Sequence, residues 1–143
     1  MTRQELAKEY FLKGYNCAQA VALAFIDDMG LTEKQVAMMS SAFGGGMGKM
    51  GEVCGAVSGM FIVLGVLEGT TDPSDAQAKA TLYKKVRALA DKFKEKNESI
   101  ICREILSEHK NEPTVSGHNA HCITMVMEAS GILDEYLRKN HNE

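Results

Sequence analysis

Apolar residues recur at helical spacing along most of the chain, and helix start signals stand in front of them. Thr2-Arg3-Gln4-Glu5 has capping-box form, so the pattern predicts a first helix from Arg3 to about Leu12, ended by Gly14. Asn16 is a good N-cap for a second helix, with Cys17, Ala20, Val21, Ala24 and Phe25 on one face and Gly30 as its stop. Thr32 to Gln35 is another capping box and opens a third helix through Val36, Met39 and Phe43. After Asp72-Pro73, Ser74 to Gln77 reads as a third box, heading a long helix with Leu82, Val86, Leu89 and Phe93 inside and a Lys-rich solvated face. Ser99 is positioned to cap a short helix through Leu106, and Pro113 to Gly117 reads as loop. Asn119 caps a last helix carrying Met125, Ala129, Ile132 and Tyr136 on one side.

Between these lies a segment of different character, with nine glycines from Gly44 to Gly69. It opens as a loop, Gly44 to Gly51, where backbone must pass close to something. It continues as the apolar run Val53 to Leu67, read as a buried helix in preference to a strand at Phe61 to Leu67. Gly51, Gly55 and Gly59 recur every four residues and would form one smooth stripe on it, able to meet another helix of this chain or a second copy. The run is too short to span a bilayer, since about 15 residues of helix reach about 22 Å against about 30 Å of hydrocarbon. The expected fold is all-α: a single compact domain over residues 1–143, with about seven helices around the buried glycine-rich one.

Length and composition agree with this. The chain has 143 residues, 45% hydrophobic and 24% charged, which is ordinary for a soluble domain and excludes a disordered or fibrous chain. A formal charge of −3 supplies no global positive field for a phosphate backbone, so nucleic acid is not an expected partner. No apolar run of signal-peptide length follows Met1, so the expected location is the cytoplasm, without membrane insertion.

The chemistry lies with four cysteines, Cys17, Cys54, Cys102 and Cys122. No two form a CxxC unit, which removes the zinc-ribbon, thioredoxin and c-type haem spacings. Their places on the predicted helices are more telling. Each falls in a first helical turn, where unpaired N–H groups and the positive end of the helix dipole favour thiolate over thiol. Gathered together, four such ends would make a pocket of sulfurs fit for an iron–sulfur cluster, a zinc ion or exchanging disulfides. Backbone N–H groups of Gly45, Gly46, Gly51 and Gly55 are expected against the sulfurs. Cys54, with its glycine neighbours, is the expected attacking thiol in the metal-free case. His121 beside Cys122 is a possible metal ligand or proton donor, whereas His118 and His109 are placed at the surface.

The stretches Phe11 to Val21 (FLKGYNCAQAV), Ala42 to Gly48 (AFGGGMG) and Gly51 to Gly59 (GEVCGAVSG), with Cys102 and Cys122 further on, resemble the bacterial and archaeal C-GCAxxG-C-C family. The CGAxxG motif is Cys54 to Gly59, and the resemblance runs from Phe11 to about Leu137. It implies a redox role for the four cysteines, with an iron–sulfur centre as one form of it.

The expectation is therefore a small redox-active protein, using the four sulfurs for electron transfer through a cluster or for thiol–disulfide exchange with an unidentified redox partner protein. The alternative is a structural zinc domain or helical adaptor without redox activity.

Overall fold

The N-terminal start signals act as their side chains dictate. In the computed structural model, which describes residues 1–141, Thr2 Oγ1 accepts from Glu5 N at 3.0 Å and Glu5 Oε2 accepts from Thr2 N at 3.1 Å. This opens α1, Arg3–Leu12. Asn16 and Gln19 form the same reciprocal pair at the head of α2, Cys17–Ala24.

The second predicted helix is in fact two. Arg3 donates to Ala24 O at 2.7 Å, taking the carbonyl that an unbroken helix needs for Asp28 N, and Asp28 N turns instead to Phe25 O. The chain restarts as α3, Ile26–Met29, with Asp28 paired to the same Arg3 at 2.7 Å. Thr32 and Gln35 then open α4, Glu33–Ser40, which tightens into a 3-10 turn over Ser41–Phe43.

The apolar run is helical, as α5, Gly55–Glu68, and it buries its first six residues without exception. Gly51 is not on it. Gly51 lies in the preceding loop at φ 73°, so the close-packing stripe reduces to Gly55 and Gly59. A long α6, Ala76–Asn97, is capped by Asp75, whose Oδ1 accepts from Ala78 N at 2.9 Å. Ser74 stands one residue before the cap and turns its N–H and O–H to Asp72 Oδ1.

After α7, Cys102–Ser107, the predicted loop is a small antiparallel hairpin, with β1 Thr114–Val115 against β2 His118–Asn119. Ser116 and Gly117 both take positive φ, as a two-residue hairpin turn of this hand requires. The last element is α8, His121–His141. Among the described residues this makes eight α-helices, one more than the pattern predicts, the extra one coming from the break at Phe25.

The centre is shared by α2 and α5. α2 packs against α1, α4, α5 and α8, and all of its residues but Gln19 are buried. Phe11, Phe25, Phe93, Leu64, Met125 and Leu133 fill the space around them. No helix among the described residues is long and apolar enough to cross a membrane.

Candidate functional site

Four helix starts meet at one place. Cys17 is the first residue of α2, Cys54 the N-cap of α5, Cys102 the first residue of α7 and Cys122 the second of α8. All four line a single cavity of about 180 Å³, together with Gly45, Gly46 and Gly55, the apolar Ile105, Leu106 and Met125, and Gly117, His118 and Asn119 of the hairpin.

Short main-chain bonds hold these starts in register. Cys54 N donates to Ile100 O at 2.7 Å and Cys102 N to Glu52 O at 2.6 Å, joining the approaches to α5 and α7 through an antiparallel bridge at Val53 and Ile101. Asn119 fixes the fourth start, accepting from His121 N at 2.8 Å and donating to His109 O at 2.8 Å.

The glycine loop forms one wall. Gly45, Gly46, Met47, Gly48 and Lys49 all have φ between 58° and 70°, a left-handed turn that costs about 1–2 kcal/mol for each residue with a side chain. At Gly46 the geometry demands glycine, because a Cβ there would stand 2.6 Å from the Cβ of Cys102. Gly45 and Gly55 also reach the cavity, whereas Gly51 backs onto Arg103 instead.

The thiols are not equivalent. Cys17 hydrogen-bonds to Cys122; that bond, reinforced by burial, holds the Cys17 proton well above the usual thiol range, and against burial it lowers the pKa of Cys122. Burial pushes Cys54 up to about 12, against the opposing pull of the Ala56 and Val57 N–H groups. Burial also raises Cys102, with the charge of Cys122 adding to it. Of the four helix starts, only that of Cys122 carries a thiol with a lowered pKa, and there the bond from Cys17 does more than the backbone N–H. At Cys54 and Cys102 the desolvation cost dominates, at Cys17 the hydrogen bond to Cys122 does, and Cys54, buried as well as raised to about 12, is ill suited to be the attacking thiol.

All four cysteines are free thiols. Among the described residues, no three of His, Cys, Asp and Glu stand close enough to hold a single metal ion. A cluster is larger than an ion and holds its ligands further apart. Four cysteines around a cavity with glycine walls are a suitable donor set for one.

The histidines exchange roles relative to expectation. His121 does not line the cavity. Its ring stacks on His109, with centroids 3.5 Å apart, in a separate pocket with Glu104, Glu108 and Glu128. His118 is the cavity histidine, resting against the ring of Phe11 at 5.3 Å. Burial lowers its pKa, and the charge of Lys49 lowers it further. The hint in the sequence was Ser116-Gly117, a dipeptide able to turn the chain tightly and bring the residue after it back inward.

Fold and site together define a small, predominantly helical protein built around a four-thiol cavity. The chain belongs to the C_GCAxxG_C_C family, described as "putative redox-active protein", whose family model matches residues 15–136. No curated protein matches the chain, and no solved structure does.

Proposed function

We propose that this protein performs thiol–disulfide exchange, with Cys17 and Cys122 as its working dithiol. The observation that carries the reading is the hydrogen bond between these two thiols in the shared cavity, which raises the pKa of Cys17 and lowers that of Cys122, setting a resolving thiol beside the more readily ionised one. In the net step a substrate disulfide takes two electrons and two protons and leaves as two thiols. Cys17 and Cys122 lose their protons and join as a disulfide. Cys54 supports the cavity as a buried thiol, and Cys102 stands nearest to solvent. Four free thiols suit a reducing compartment, which supports a cytoplasmic location.

The test is a redox titration of the purified chain against a dithiothreitol couple under anaerobic conditions, followed by peptide mapping. A reversible Cys17–Cys122 disulfide, lost in Cys17→Ser and Cys122→Ser and kept in Cys54→Ser, is the expected result. A chain that stays fully reduced across the range, or one that pairs other cysteines, overturns it.

One observation favours a second reading, namely that all four thiols share one cavity walled by glycine. There Cys17, Cys54, Cys102 and Cys122 would hold an iron–sulfur cluster, which supplies one-electron transfer when bound. Anaerobic purification giving a brown protein with iron and sulfide, bleached by dithionite, supports this reading. A colourless protein with one chelatable zinc supports a structural role instead.

A further inference from the structure

Lys49 occupies an unfavourable place. Its φ of 64° lies in the left-handed region, where glycine fits best, and its side chain is exposed, so packing offsets none of that strain. What the position does achieve is placement. A Cβ on Gly45, a wall residue of the cavity, would stand 2.8 Å from Lys49 Cγ, so the lysine stem lies against that wall residue, just outside the cavity lining. Its charge also acts on His118, another residue of the cavity lining.

The charge there is uncompensated. Among the described residues Lys49 has no carboxylate within ion-pair distance, whereas nearby Arg103 is neutralised by Glu52 at 2.9 Å. Among the described residues no Asp or Glu lines the cavity. The thiols behind the rim differ in access as well: Cys17, Cys54 and Cys122 are 4%, 5% and 8% exposed, and only Cys102 is less than fully buried. A cavity of about 180 Å³ admits the sulfur end of a small molecule but not a folded protein's disulfide with its flanking backbone.

We infer that the substrate is a low-molecular-weight anionic disulfide, drawn to the rim by Lys49 and met first by Cys102. The inference rests on the exchange reading above and names its substrate class. Cys102, the most accessible of the four, gives up its proton, which it regains in the last step, and its sulfur attacks the disulfide RS–SR, forming Cys102–S–S–R and releasing RS⁻. Cys122 then attacks the Cys102 sulfur and expels the second RS⁻. Cys17 attacks the Cys122 sulfur, leaving a Cys17–Cys122 disulfide and returning Cys102 to the thiol. The protons lost by Cys17 and Cys122 end on the two released RSH molecules, so the disulfide gains two electrons and the protein loses two.

The experiment measures the rate at which the reduced full chain is oxidised by three probes: glutathione disulfide (anionic), 2-hydroxyethyl disulfide (neutral) and cystamine (cationic). Comparing each probe between wild type and variant removes its intrinsic reactivity. Lys49→Glu is expected to slow the anionic probe several-fold, to speed the cationic one several-fold and to leave the neutral one unchanged. At about 1 M salt, where screening acts within about 3 Å, these differences should fade. Lys49→Gly removes both charge and strain, so it should lose the anion preference while folding at least as well as wild type. Cys102→Ser should lose the fast reaction with every probe.

Equal changes across the three probes, or none, overturn the role of Lys49. Wild-type rates in Cys102→Ser overturn its role as first contact. If the wild-type chain exchanges with no disulfide at all, the exchange reading itself fails, and this inference fails with it.

Discussion

Cys54 and Cys122 both sit at helix starts, yet their protons respond in opposite directions. A helix dipole is worth about 0.3–1 kcal/mol at its end, whereas full burial shifts a thiol by several pKa units. At Cys54 burial wins. At Cys122 a neighbouring S–H, that of Cys17, tips the balance. This has a consequence for stability. The folded chain keeps the Cys54 proton to about 12, while the unfolded chain releases it near the ordinary thiol value of 9.0. Below that value both states hold the proton and the contribution is intact. Above it the unfolded state binds fewer protons, so stability falls as pH rises, by about 1.4 kcal/mol per pH unit for one thiol. Urea denaturation between about pH 9 and 11 should show this slope, and Cys54→Ala should flatten it by close to one proton. An unchanged slope would contradict the burial account. Sequence named all four thiols, but not which would stay protonated, because depth below the surface comes only from tertiary packing.

The glycines of α5 make the same point for an element. Gly59 and Gly65 look alike in sequence, six residues apart on one helix. A Cβ at Gly59 would meet Ala18 O and Val21 Cβ at 2.9 Å, where α2 crosses, whereas nothing stands within 4 Å of one at Gly65. Gly59→Ala should therefore destabilise the fold by about 1–3 kcal/mol despite the better helix propensity of alanine. Gly65→Ala should stabilise it by about 0.5–1 kcal/mol. Thermal unfolding of the two variants decides the matter, and shifts of the same sign would refute the α2–α5 contact. The caps at Thr2, Asn16 and Thr32 were legible because donor and acceptor lie three residues apart. The break at Phe25 was not, since it depends on Arg3 reaching across from another helix to take the Ala24 carbonyl. Gly51 was misassigned for a related reason: an i, i+4 spacing says nothing about where the helix begins.

The thiol cavity exists only when the whole molecule is folded, because its four starts come from distant parts of the chain and meet through the α2–α5 and α2–α8 packing. Sequence placed the cysteines at helix starts. It could not place His118 inside and His121 outside, since that depends on how the hairpin lies over the rim. Such an assembly makes thiol access a measure of global opening. In the native chain a thiol reagent should label Cys102 first. Cys17 and Cys54, at 4% and 5% exposure, should wait for the fold to open, and in denaturant all four should react alike. Where reclosing outpaces labelling, the Cys54 rate follows the equilibrium population of the open state. The stability lost in Gly59→Ala should then reappear as faster Cys54 labelling, about thirtyfold for a loss of about 2 kcal/mol. Cys102 labelling should change little. No acceleration at Cys54 would mean that the cavity opens locally at its rim, with α2 and α5 still packed together.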